Sequence, residues 1–436
     1  VPAPPHPPHP SAAPSAADRR FAADWRFALP LAAGTCALQL LGYLWLAAPG
    51  DWAVAYRSLW AWDSAWYLSI AELGYRTPLP PRGQALHASN VAFFPAYPLL
   101  GRWLARLYGT DGQMGLLLAA QGCALGFWAF FHALLAQAGV SRRGRLLAGV
   151  LLVCFPSAFY LQAAYSEATF LLGLTAFLFF ALRPRPAVLG AGAAGFLMTA
   201  ARIVGLPLAG VPTAVAVLGA LLGRREGPRE GRRGAGRGVL VRHAAVALLA
   251  AAGAGLFFLF CHLRWGRWDL YMWTQQVGWG IQPDPGALLQ PRVWTWVNLR
   301  PASLWPYAIH PDRVSRSGTA LALWAVAAGL PLELLATRWL GVRGWRERLP
   351  FHLAAAGMLA VSVSGLAGQR LVSMVRYLLP VFVMLLVAHA HLWSRLPPRL
   401  ARVRWLLALL ALGLAGWGAL MQAHFIEGYS RGEWVS

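Results

Sequence analysis

Among the sixteen acidic residues of this 436-residue chain, Asp63 has the setting that chemistry would use. It lies in Trp60–Tyr75, WAWDSAWYLSIAELGY, whose tryptophans and tyrosines are the residue types that settle at a membrane–water interface. A carboxylate held there can take the proton from an attacking hydroxyl, which is the work of a general base. The alternative is that Asp63 caps the helix that follows it. The two roles conflict, because a carboxylate that accepts backbone N–H bonds is a weaker base.

The neighbouring candidates are substrate contacts. Trp62 and Tyr67 flank Asp63. His87 and Asn90 precede an aromatic–proline wall, Phe93–Pro98 (FFPAYP), and either orient a ligand or pack an interfacial loop. Glu167 falls at the turn of a helical hairpin, where an acid also suits a helix N-terminus. Arg202 interrupts an apolar stretch, at a cost of at least ~2.5–3.5 kcal/mol at the bilayer centre, so it needs a carboxylate or an anionic ligand. Arg370 and Arg376 stand near the start of another span, where a guanidinium fork suits phosphate oxygens or snorkels to lipid headgroups. The four cysteines and eleven histidines are scattered without metal-ligand spacing, so no metal site is indicated.

The elements that must position these residues follow from composition. The chain is 58% hydrophobic and 12% charged, with a mean hydropathy of +0.49. That is about half the usual charge of a soluble domain, which excludes a water-borne enzyme, a disulfide scaffold and a disordered protein. Apolar runs read as spans at about 28–48, 113–138, 146–163, 165–182, 243–263, 318–337, 351–367, 371–393 and 405–424. Residues 187–222 suit two short or broken helices lining a protein-enclosed cavity. All 38 basic residues are arginine. The linkers assigned to the inside carry 23 of them in 80 residues, and those assigned outside carry 13 in 137. This positive-inside bias sets the orientation and argues for topology rather than nucleic acid as the origin of the +22 net charge. The organisation expected is a disordered cytoplasmic tail (1–27) and a transmembrane domain (28–424). That domain holds a first outer loop (49–112), a basic inner loop (223–242) and a second outer loop (264–317), and a short outer tail (425–436) follows it.

Four patches together resemble the PIG-V type (GPI mannosyltransferase II) family and its bacterial relatives within the GT-C glycosyltransferases. They are Trp62–Tyr75, Asn90–Pro98 (NVAFFPAYP), Tyr165–Phe170 (YSEATF) and Ala200–Leu206 around Arg202, with Arg376–Pro380 (RYLLP) in support. The resemblance implies an all-α polytopic membrane protein of GT-C type, with about ten or eleven transmembrane helices and interfacial helices in the first outer loop. It also implies a polyprenyl-phosphate sugar donor, usually mannose, used at the outer face of the cytoplasmic membrane without nucleotide or metal cofactor, with Asp63 as the first-loop acid. Ser64 and Ala65 follow Asp63, so the paired acids of some GT-C members are missing, which weakens the case for a divalent ion. The acceptor is left open. The alternatives are a transporter or flippase of lipid-linked sugars and an outer-face polysaccharide ligase; the long outer loops and the lack of an internal repeat argue against the transporter.

Overall fold

The computed structural model describes residues 16–77, 79, 88–183, 186–223, 232–295, 311–342, 344–371 and 373–435. The first expected span is part of a longer helix, α1 (Ala16–Ala47), which also takes in residues 16–27 of the expected disordered tail. The alanines there are strong helix formers, which accounts for the extension. Two short helices follow, α2 (Trp52–Ser58) and α3 (Ser64–Leu73), then a 3-10 turn at Asn90–Ala92 and α4 (Ala96–Tyr108). The helix expected after Asp63 is therefore present as α3.

The long helix α5 (Gly112–Gln137) leads to α6 (Arg142–Val153). The expected continuous span 146–163 is broken. Pro156 has no N–H to give and restricts the residue before it, so the helix stops at Val153 and resumes as a 3-10 turn at Ala158–Leu161. The hairpin α7 (Glu167–Ala181) and α8 (Val188–Ala201) comes next. The broken stretch then continues as α9 (Gly205–Leu208) and α10 (Val211–Gly223).

Of the expected inner loop, 232–242 belongs to the helix α11 (Arg232–Trp265). Within the second expected loop lie α12 (Leu270–Trp279) and α13 (Pro291–Thr295). The chain closes with α14 (Pro311–Leu340), α15 (Trp345–Leu366), α16 (Met374–Ser394) and α17 (Ala401–Ser430). Among the described residues, seven helices are long and apolar enough to cross a membrane, and three apolar stretches are shorter: Glu167–Ala181, Val188–Ala201 and Gly205–Leu221. The chain is a multi-pass membrane protein.

The short helices matter for the site. Fifteen residues of α7 rise about 22 Å, less than the ~30 Å of a hydrocarbon layer. α8 is held against α11 through small residues: a Cβ added at Gly253 would overlap the Phe196 carbonyl oxygen. Thr199, in the last turn of α8, gives its hydroxyl to the Ala250 carbonyl at 2.5 Å and accepts from the Ala254 N–H at 3.2 Å. Such close backbone approach is how helices associate where lipid removes the hydrophobic drive. It fixes the C-terminal end of α8.

At the far end of α16 a second set of charges ties α14 to α15. Arg348 of α15 is fully buried and gives Nε to Glu333 Oε2 of α14 at 2.6 Å, while His352 Nε2 lies 2.8 Å from Glu333 Oε1. Removing one side of a buried pair strands the other, at about 3–5 kcal/mol. Glu333→Gln is expected to lower stability by about that amount in thermal or denaturant unfolding in detergent. A loss below about 1 kcal/mol would mean that Arg348 is not held by this carboxylate.

Candidate active site

Four helix ends converge at the other end of the bundle. Because α7 and α8 are an antiparallel hairpin, the N-terminus of one lies beside the C-terminus of the other. Glu167 opens α7, and Arg202 follows the last residue of α8 with an extended backbone (φ −155°, ψ 142°). An acid at a helix N-terminus and a base at a C-terminus each suit the local end of the helix dipole. The two side chains pair at 2.5 Å, Arg202 Nη1 to Glu167 Oε1.

Arg376, in the first turn of α16, joins them. Its Nε lies 3.2 Å from the same Glu167 oxygen, and its Nη1 lies 2.8 Å from Asp63 Oδ2. The result is a continuous line of charge, Asp63–Arg376–Glu167–Arg202, two negative and two positive. Glu167 and Arg376 are deeply buried, with side chains 3% and 8% exposed, while Asp63 is 17% exposed. Tyrosine rings supply the rest of the lining. The Arg376 guanidinium sits 5.2 Å from the Tyr165 ring and 5.4 Å from that of Tyr377, and Arg202 sits 4.8 Å from Tyr377. Cations desolvated this far need both the carboxylates and the ring faces.

Local structure explains how Asp63 arrives. Ser64 Oγ donates to the Ala164 carbonyl at 3.1 Å, the Ala164 N–H donates to the Leu59 carbonyl at 3.1 Å, and the Tyr165 hydroxyl donates to the Ala61 carbonyl at 3.2 Å. These bonds staple the start of α3 to the segment before α7. Asp63 occupies the N-cap position of α3, yet its side chain makes no capping bond. The capping alternative is not what the side chain does; it goes to Arg376. Non-glycine residues take left-handed φ at Trp62 (53°), just before Asp63, and at Ser373 (68°), three residues before Arg376. Such backbone costs ~1–3 kcal/mol per residue and gathers at functional sites.

Tyr67 belongs to the site. Its hydroxyl donates to Ser166 Oγ at 2.9 Å, next to Glu167. Burial, and after it the Glu167 charge, pushes the phenol pKa up, so Tyr67 stays a neutral donor. The other candidates stand apart from the charge line. Trp62 packs edge-on against Trp434 with ring centroids 5.0 Å apart and donates Nε1 to the Glu433 carbonyl at 3.3 Å. Asn90 braces its loop: Nδ2 donates to Ser69 Oγ and to the Gly74 carbonyl, and Oδ1 accepts from the Arg76 N–H, each at 3.1 Å. That is the loop-packing alternative. Arg370 is exposed, with left-handed backbone (φ 57°). His87 lies outside the described residues.

Tyr165, Tyr377 and Ser166 lie within two residues of a charged candidate, and the sequence names them only as members of the YSEATF and RYLLP patches. Glu167 Oε2 is buried without a hydrogen-bond partner. Glu167, Arg202, Ser362 and Tyr377 line a cavity with about 10 Å³ for the centre of a water molecule. That is room for about one water molecule. Among the described residues no group of three or more His, Cys, Asp or Glu could hold a metal ion.

No family model matches the chain, and no curated protein sequence matches it. Solved structures do. The oligosaccharyltransferase AglB of Archaeoglobus fulgidus, in complex with an inhibitory peptide and a dolichol-phosphate, aligns with 90% of this chain at 14% identity and a TM-score of 0.50. The oligosaccharyltransferase of that organism in its apo form aligns with 91% at 15% identity and a TM-score of 0.51. ArnT from Cupriavidus metallidurans bound to undecaprenyl phosphate aligns with 92% of this chain and 76% of its own at 12% identity, with a TM-score of 0.49, just short of showing a shared fold. The chain spans 55–56% of the length of the oligosaccharyltransferase structures. The likeness is one of fold, the GT-C fold of membrane glycosyltransferases.

Proposed function

We propose that this chain is an integral-membrane glycosyltransferase of PIG-V-like type that moves a sugar, mannose by the family resemblance, from a polyprenyl-phosphate donor to an acceptor hydroxyl. The reaction takes place at the outer face of the cytoplasmic membrane, with the N-terminus inside. The observation that carries this reading is the Asp63–Arg376 pair at 2.8 Å, which supports a carboxylate base working beside a cation suited to phosphate. The dolichol-phosphate bound to the archaeal enzyme of the same fold supports a lipid phosphate as the donor's anchor.

In the proposed step the acceptor oxygen attacks the anomeric carbon opposite the phosphate. The O–H bond breaks as Asp63 takes the proton, the new C–O bond forms, and the bond from sugar to phosphate oxygen breaks. Configuration inverts. The leaving polyprenyl phosphate gains one negative charge, which Arg376 and Arg202 stabilise where it develops. Tyr67 holds Ser166, and through it the start of α7, in place. The reaction calls for no nucleotide.

Purified protein in proteoliposomes, given polyprenyl-phosphate-[³H]mannose and a membrane extract as acceptor source, is expected to move label covalently into product. Glucose- and galactose-linked donors run in parallel test the choice of sugar. Movement of the intact donor across the bilayer with no labelled product would overturn the enzyme in favour of a transporter.

A further inference from the structure

We infer that Arg376 is a switch: in the resting protein it holds Asp63, and the arriving donor phosphate takes it away, freeing the carboxylate for the acceptor. This rests on the reading that the donor is a polyprenyl phosphate. The guanidinium is divided between two carboxylates: Nη1 donates to Asp63 Oδ2 at 2.8 Å, and Nε faces Glu167 Oε1 at 3.2 Å as an ion pair without a hydrogen bond. While Oδ2 is bonded to Arg376, Asp63 is oriented by that cation and not by an incoming hydroxyl. A phosphodiester presents two unbridged oxygens, which match a guanidinium fork. A phosphate held by two prongs takes one edge of that fork, Nη1–Nη2 beside Asp63 or Nε–Nη2 beside Glu167, and so competes with the carboxylate on that edge.

Exposure decides which. The Glu167 side chain is 3% exposed and is also held by Arg202, so it can neither turn away from Arg376 nor reach bulk water. Asp63 is 17% exposed and lies on the start of a short helix, so it can be rehydrated or meet an acceptor. The donor therefore displaces Asp63 and leaves Glu167 as the fixed anchor of both arginines. The charge tally agrees. The four side chains sum to zero at rest, and a phosphodiester brings the site to one negative charge. When the proton passes to Asp63 and the leaving phosphate gains a charge, the total stays the same. Binding is ordered, donor before acceptor, and Arg376 acts as a positioning residue on Asp63 as well as a phosphate ligand.

Infrared difference spectroscopy on the full chain, with farnesyl phosphate as the added probe, tests this. Protein labelled with ¹³C-aspartate separates aspartate carboxylate bands from glutamate bands without any substitution. Farnesyl phosphate is expected to shift one aspartate carboxylate stretch, and that signal is expected to vanish in Asp63→Asn. In Arg376→Gln the probe should bind roughly tenfold or more weakly, and at saturation no aspartate band should move. Binding without an aspartate shift, or with a glutamate shift in its place, overturns the switch and leaves the donor reading standing. Failure of farnesyl phosphate to bind at millimolar concentration overturns the donor reading itself, and the switch with it.

Discussion

Asp63→Asn is expected to lower kcat by roughly 10²–10⁴-fold, the usual contribution of a positioned general base. Asparagine has nearly the same size, and its carbonyl oxygen can still accept from Arg376, so the start of α3 should stay stapled to the segment before α7 by Ser64 and Tyr165. What is lost is the ability to take a proton and one negative charge. Losing that charge leaves the line Arg376–Glu167–Arg202 with a net positive charge, which favours an anionic ligand. The effect should therefore fall on kcat, with the donor KM unchanged or lower, and this split separates a lost base from a collapsed pocket. Asp63→Glu keeps a carboxylate but displaces it by a methylene, and is expected to fall between wild type and the asparagine variant. Initial rates at saturating donor, with thermal unfolding as a fold control, check all three. An asparagine variant turning over within threefold of wild type would take Asp63 out of the mechanism.

The parts of this molecule that could be read from sequence are those with local causes. Long apolar runs became helices within a few residues of their expected ends, as in α5 and α16, because the need to satisfy backbone groups in an apolar medium leaves few other choices. The aromatic segment around Asp63 gave a short helix for the same kind of reason. The break at Pro156 was also written in the sequence, but hydropathy over 146–163 outweighed it in the reading. Site assembly depends on what is distant. Asp63 and Arg376 are 313 residues apart and meet because α3 and α16 happen to end at the same place. Arg202 had to have a partner on energetic grounds, yet nothing local indicated that the partner would be Glu167, 35 residues earlier. Conversely, Asn90 and Trp62 have the composition of ligand contacts, and the fold engages both in holding loops. Chemical type identified the candidates; only packing separated those that join the charge line from those that brace loops.

Glu167→Gln should be the most damaging substitution for the fold of the site, and its consequences should depend on ligand. One oxygen of Glu167 pairs with Arg202 at 2.5 Å and with Arg376 at 3.2 Å, from a side chain only 3% exposed. Glutamine preserves shape and removes the charge, leaving two buried guanidinium groups with Asp63 as their one remaining counter-ion within the line. Stranding a buried charge in this way costs about 3–5 kcal/mol, whereas an exposed pair would cost less than about 1 kcal/mol. The variant is expected to unfold at lower temperature by a margin in keeping with the larger figure. Farnesyl phosphate then supplies the missing negative charge, so it should raise the melting temperature of Glu167→Gln by more than it raises that of wild type, because ligand binding to the native state alone adds stability. Product release should slow for the same reason, since the leaving phosphate would meet two cations with one fewer competitor. Thermal unfolding with and without farnesyl phosphate reads out the stability loss and the ligand shift. Equal ligand shifts in the two proteins would mean that the phosphate binds elsewhere than on Arg202 and Arg376, and would separate the charge line from donor binding.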